Sequence, residues 1–164
     1  MGPALVLKSV LGRHVSLGVF GVVQIVIDVE SVSNILLGRF PVHDHLHTLP
    51  GALAVAAVVT LLARAPLSWV NGWLRRREDV PRWLRDELLP VTWLSAGLGA
   101  GLGGATHVLF DGMMHADARP FAPFVSTNVL LVPGSFEAIH GACAVAGVLG
   151  LVLWSLFARR APGA

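Results

Sequence analysis

The sequence predicts an all-α integral membrane protein, a bundle of about four transmembrane helices with one or two interfacial amphipathic helices. Three observations predict it. Hydrophobic residues make up 54% of the 164 and charged residues 13%, with a mean hydropathy of +0.70, which is not the composition of a soluble domain. Four segments reach or approach the roughly 20 apolar residues that a helix needs to cross a hydrocarbon core. The basic residues, finally, sort to one side of those segments.

That sorting excludes the nucleic-acid reading that a formal charge of +2 and a pI near 9.5 would invite. Cys143 is the single cysteine, so no intrachain disulfide forms. The opening "MGPALVLKSVLGRH" has no small-x-small cleavage pattern. Val6 stands where a myristoylation motif has Ser or Thr, so the start is expected to be retained and unlipidated.

The spans fall in order within a single membrane domain, 1–164. The first covers about 11–37 and the second about 49–64, short unless extended at its N-terminal end. The third covers about 91–114 and the fourth about 136–158. Many glycines in the later spans would let helix backbones approach closely. Between the second and third spans, the loop 65–90 interleaves Trp69, Trp73 and Trp83 with Arg75, Arg76, Arg77, Arg82 and Arg85, as short helices in the headgroup region do. The outer loop 115–135 holds three prolines and the apolar patch Val129 to Val132, and reads as an ordered loop dipping toward the membrane.

Four spans place both termini and the 65–90 loop on one side. Ten Lys and Arg residues lie there, against Arg39 and Arg119 opposite. The positive-inside rule makes the first side cytoplasmic, in a multi-pass inner-membrane protein with cytoplasmic termini.

The same topology gathers the polar groups. Six of seven histidines (His43, His45, His47, His107, His115, His140) and six of ten acids (Asp28, Glu30, Asp44, Asp111, Asp117, Glu137) fall at the outer ends of the spans. Ionisable groups inside a membrane are expensive and mark a site or a pathway. His107, Asp111 and His115 recur every four residues and would form one stripe on a helix. His43 and His47 repeat that spacing if the second helix begins early enough, and Glu137 and His140 stand three apart. Imidazole and carboxylate without thiolate suit a divalent transition metal, zinc first, then manganese or iron. The number of donors allows one ion or two. Asp28, His47, His107 and Asp111 are the leading ligands, with His43, His115, His140 and Glu30 next; Glu30 or Glu137 is the candidate general base. Asp44 and Asp117 read as solvated or supporting groups, and Arg119 as an anion ligand or an interface anchor. A lone His–Asp pair would read as an interhelical hydrogen bond. Convergence from four segments favours the metal.

These motifs carry a resemblance. "HDHLHTLPGA" followed by "THVLFDGMMHADARPFAPF" is similar to the YdjM-like family of membrane-bound metal-dependent hydrolases. The family pattern maps onto His14, Asp28 and Glu30 in "IDVE", His47 with Thr48, His107 with Asp111, and His115. The match runs to about residue 124, with Glu30 where the family has a second Asp and with His45 extra. A more distant likeness is to zinc-dependent phospholipase C. Both imply metal-dependent hydrolysis. His14 fits poorly, because fourteen residues of continuous helix would set it roughly 21 Å from Asp28.

The expected function is a membrane-embedded hydrolase acting on a lipid or lipid-linked (phospho)ester through a metal-activated water. The alternative is a metal-binding or transport membrane protein without hydrolytic activity, for which a homo-oligomer could complete a path. A b-type haem protein using histidine pairs is a third reading, separable by its Soret band.

Overall fold

The computed structural model describes residues 2–81, 84–85 and 88–158. Among them it is all-helical: α1 (Gly2–Leu11), a 3-10 turn at Gly12–His14, α2 (Leu17–Leu36), α3 (Leu49–Arg75), α4 (Trp93–Met114) and α5 (Phe136–Ala158). Among the described residues, α2, α3 and α5 are long and apolar enough to cross a membrane, and they mark a membrane protein.

That span count is three, not the four expected, and the difference lies in α4. This helix has the length, but its glycines, His107 and Asp111 lower its hydropathy. Its buried face is made of small residues, Ser95, Ala96, Gly99, Ala100, Gly103, Gly104 and Gly112, with Val108, and it turns Trp93, Leu94 and Leu109 outward. The helices that do qualify turn large apolar side chains outward: Ile25, Val29 and Ile35 on α2, Leu61 and Leu62 on α3, Val148 and Leu149 on α5. Such faces are costly in water and at home in lipid.

Two boundaries also differ. The first span is not continuous from 11, because Gly12 takes a positive φ of 52° and breaks the chain into two helices. Ser16 then caps α2, accepting from Val19 N at 3.3 Å. The second span is extended at its C-terminal end, not its N-terminal end, and passes through Pro66 to Arg75. Residues 65–75 therefore belong to a long helix, and the interfacial helix expected over the remainder lies partly outside the described residues. Thr48 caps α3, accepting from Gly51 N at 3.0 Å. Thr92 and Ser95 close a reciprocal capping box on α4.

The core is a three-helix unit: Val19, Val23 and Ile27 of α2 meet Ala52, Val55, Ala56 and Val59 of α3 and Ala96, Ala100 and Val108 of α4. α2 and α4 run parallel and touch backbone to backbone. A Cβ on Gly99 would fall 2.6 Å from Ser16 O, and one on Gly103 2.9 Å from Phe20 O, so both positions require glycine. α3 runs antiparallel to them. α5 lies chiefly on α1 and barely on α4, which leaves a cleft between α4 and α5. One end of the unit carries the 37–48 and 115–135 connections. The other carries the Gly12–Ser16 turn and the start of α4, where Val91 N donates to Ser68 Oγ at 2.9 Å.

Candidate metal centre

Asp28 projects from the last third of α2, His107 and Asp111 from successive turns of α4, and His47 from the residue before the Thr48 cap. These four bring one ligand atom each within 4.8 Å of one another. His107 Nε2 lies 3.2 Å from Asp28 Oδ1 and 3.1 Å from Asp111 Oδ2. His47 Nε2 lies 3.4 Å from Asp111 Oδ2 and 4.0 Å from Asp28 Oδ1. Bonds of about 2.0–2.2 Å to zinc would set the donors of a tetrahedral site roughly 3.3–3.6 Å apart, a spacing that these separations of 3.1 to 4.0 Å bracket. His47 is fully buried, whereas the Asp28 side chain is 55% exposed; the group is walled on the α3 side and open at Asp28.

One atom makes the fit specific. His107 Nε2 is buried and meets two carboxylate oxygens at ion-pair distance, aligned for a good hydrogen bond with neither. Two carboxylates around an unsatisfied imidazole nitrogen concentrate negative charge that a cation would neutralise. The residues present therefore suit a divalent ion.

The supporting groups are in place. Glu30 Oε2 lies 3.2 Å from His47 Nδ1 and accepts from Leu46 N at 2.8 Å. Holding the Nδ1 proton leaves the Nε2 lone pair for the cluster, as a carboxylate behind a ligating histidine does. Ser31, whose hydroxyl donates to that lone pair at 3.2 Å, would be displaced from it by an ion. This serine lies three residues after Asp28 on one face of α2, a spacing readable in the sequence but not used there.

A second group that could hold an ion adjoins the first: His43, His115 and Asp117. The "HDHLH" tract is a loop, because α3 does not start until Leu49, so His43 and His47 are not a helical i, i+4 pair. Their rings nevertheless meet edge-on at 4.8 Å, brought together by the fold of the loop. His115 likewise leaves the expected stripe. It caps α4 in extended conformation (φ −112°, ψ 120°) and stacks on His43 at 4.1 Å. Asp117 accepts from Val42 N at 2.8 Å and His43 N at 3.0 Å and meets His43 Nδ1 at 3.0 Å. Burial works to raise its pKa, but the His43 backbone and ring bonds outweigh that and hold the carboxyl below its ordinary range. Burial, with His43 close by, lowers the pKa of His115. Asp117 is thus half-buried and fully engaged rather than solvated.

Other candidates lie apart. His140 and Glu137 begin α5, outside both groups; Glu137 is exposed, and His140 lines the cleft opposite Asp28 and His107. His45 is exposed beside Asp44 at 2.8 Å, and Arg119 pairs with Asp44 at 3.5 Å. His14 sits in the 3-10 turn at the other end of the molecule. By helical rise that is ~18 Å from Asp28, counted from Ser16. Asn128, which the sequence did not single out, donates to Gly112 O at 2.7 Å and His115 O at 2.9 Å, tying the outer loop to the end of α4.

The cleft between α4 and α5 has a volume of about 320 Å³. Gln24, Asp28, His107, Asp111, His115 and His140 give it polar walls; Phe110, Met114, Phe136, Ile139 and Cys143 give it apolar ones. Comparison of the chain with protein-family models, curated proteins and solved structures found no match.

Proposed function

We propose that the chain is a membrane-embedded metal-dependent hydrolase acting on a lipid or lipid-linked ester, phosphoesters included. The observation that carries this reading is the convergence of Asp28, His47 and Asp111 on the buried, unsatisfied Nε2 of His107. Those four residues would hold a divalent transition metal, zinc in the first instance. When bound, such an ion lowers the pKa of a coordinated water toward neutrality and polarises an ester oxygen.

The chain's own residues do the rest. Glu30 fixes the tautomer of His47, a positioning role, since its Oε2 already accepts from Leu46 N. The exposed side of Asp28 opens the group to the cleft. A lipid ester fits there with its head against the Asp28 and His107 wall and its hydrocarbon along Phe110, Met114 and Ile139. The resemblance to the YdjM-like hydrolases supports the same reaction class. We place the site toward the outer face of an inner membrane, because the basic residues gather at the opposite end.

Elemental analysis of detergent-purified protein tests the reading. Wild type should carry stoichiometric transition metal, and His107→Ala with Asp111→Ala should carry none. Wild-type protein free of such metal ends the proposal. Protein that loads metal and hydrolyses no ester, but moves metal into liposomes, assigns the site to transport instead.

A further inference from the structure

The start of α5 presents to the cleft an imidazole with one ring nitrogen engaged. His140 Nδ1 lies 2.8 Å from the carbonyl oxygen of Phe136. A carbonyl only accepts, so Nδ1 carries a proton and donates it, and the lone pair of the neutral tautomer lies on Nε2. The ring also packs on Phe136, with centroids 4.2 Å apart and planes at 38°. Backbone and aromatic ring together restrain its orientation. His140 shares the cleft with Asp28 of α2 and with His107, Asp111 and His115 of α4, yet it belongs to neither ligand-capable group. It is exposed, with the space of the cleft between it and the donors.

We propose that His140 is the proton carrier of this cleft. The inference rests on the hydrolase reading and adds the catalytic residue that reading lacks, since Glu30 is engaged behind His47 and Glu137 does not line the cleft. Nε2 takes a proton from the attacking water as the new oxygen bond to carbon or phosphorus forms. It returns that proton to the leaving oxygen as the ester bond breaks. Water and ester become acid and alcohol, the imidazole ends neutral, and no further reactant is needed. The Phe136 carbonyl accepts from Nδ1 throughout and stabilises the transient imidazolium, as the partner of a general-base histidine does.

The test compares wild type, His140→Gln and His140→Ala, each purified in detergent, for metal content and for hydrolysis of nitrophenyl carboxyl and phosphoesters with short and long alkyl chains. Both variants should keep the wild-type metal content and lose ~10²–10⁴-fold in kcat with KM little changed. The limb of the pH–rate profile that reports the base should vanish with them. Variants with full activity would overturn the inference, as would variants that lose metal, which would make His140 a ligand. A metal-loaded wild type that cleaves none of these esters takes both the inference and the hydrolase reading down. Failure in the variants alone leaves that reading standing.

Discussion

The two histidine–carboxylate groups contain the same chemistry and spend it differently. In the Asp28, His47, His107 and Asp111 group, the donors converge and His107 Nε2 remains without a hydrogen bond. In the His43, His115 and Asp117 group, the carboxylate is consumed by two backbone amides and an imidazole. The rings of His43 and His115 stack 4.1 Å apart at an interplanar angle of 21°, and with Asp117 they too bring one ligand atom each within 4.8 Å of one another. The contrast teaches that two groups able to hold an ion can differ in how far their donors are already engaged by the fold. A carboxylate tied to backbone amides has fewer lone pairs to offer.

The largest effect that would break this comparison is on metal binding itself. His47→Ala should abolish stoichiometric metal, measured by elemental analysis, while His43→Ala should retain it; equal loss in both would make the two groups one site. A smaller effect is expected behind the ligands. Glu30→Gln leaves every donor of the first group in place but loosens the tautomer of His47, so metal affinity by competition titration should fall ~10–100-fold. An unchanged affinity would show that Glu30 only anchors Leu46.

The smallest effect belongs to the second group. Asp117→Asn should retain metal and lower unfolding stability in detergent by about 1–2 kcal/mol, through loss of charge-assisted bonds to Val42, His43 and the His43 ring. The pH sign follows from the depressed pKa of Asp117. Its contribution is full above its unfolded value of about 3.9 and is lost as pH falls through the lower folded value. Wild type should therefore lose thermal stability over that acid range more steeply than Asp117→Asn; parallel profiles would sink the assignment.

Much of the first group was legible in the sequence. Asp28, His107 and Asp111 sit inside helices, where apolar flanks and fourfold spacing report both depth and face. His47 entered through its spacing from His43 and through the resemblance, whose pattern pairs it with Thr48. The second group was not, because its geometry is set by contacts distant in sequence. Val42 and His43 are held by Asp117 more than seventy positions away, and Leu49 N donates to Pro120 O at 2.8 Å. No periodicity reports such pairings, so the histidine tract was read as a possible helix start and His115 as part of a stripe. The second span was read short, ending at about 64, whereas α3 runs on through Pro66, a residue that ordinarily interrupts helices, to Arg75. The hydropathy of α4 was also overread, since glycine was counted for its packing value and not for its weak preference for lipid.

The parallel pairing of α2 and α4 has a consequence for distances at the site. The same number of positions separates Ser16 from Gly99, Phe20 from Gly103 and Asp28 from Asp111, and these are the levels where the two helices meet. Two backbones with no side chain between them thus act as a ruler whose zero lies at one end of the bundle and whose reading is taken at the other. Sliding the ruler by a single turn, about 5.4 Å, would carry Asp28 clear of His107. The glycines at one end of the pair thus help set the distance between Asp28 and His107 at the other.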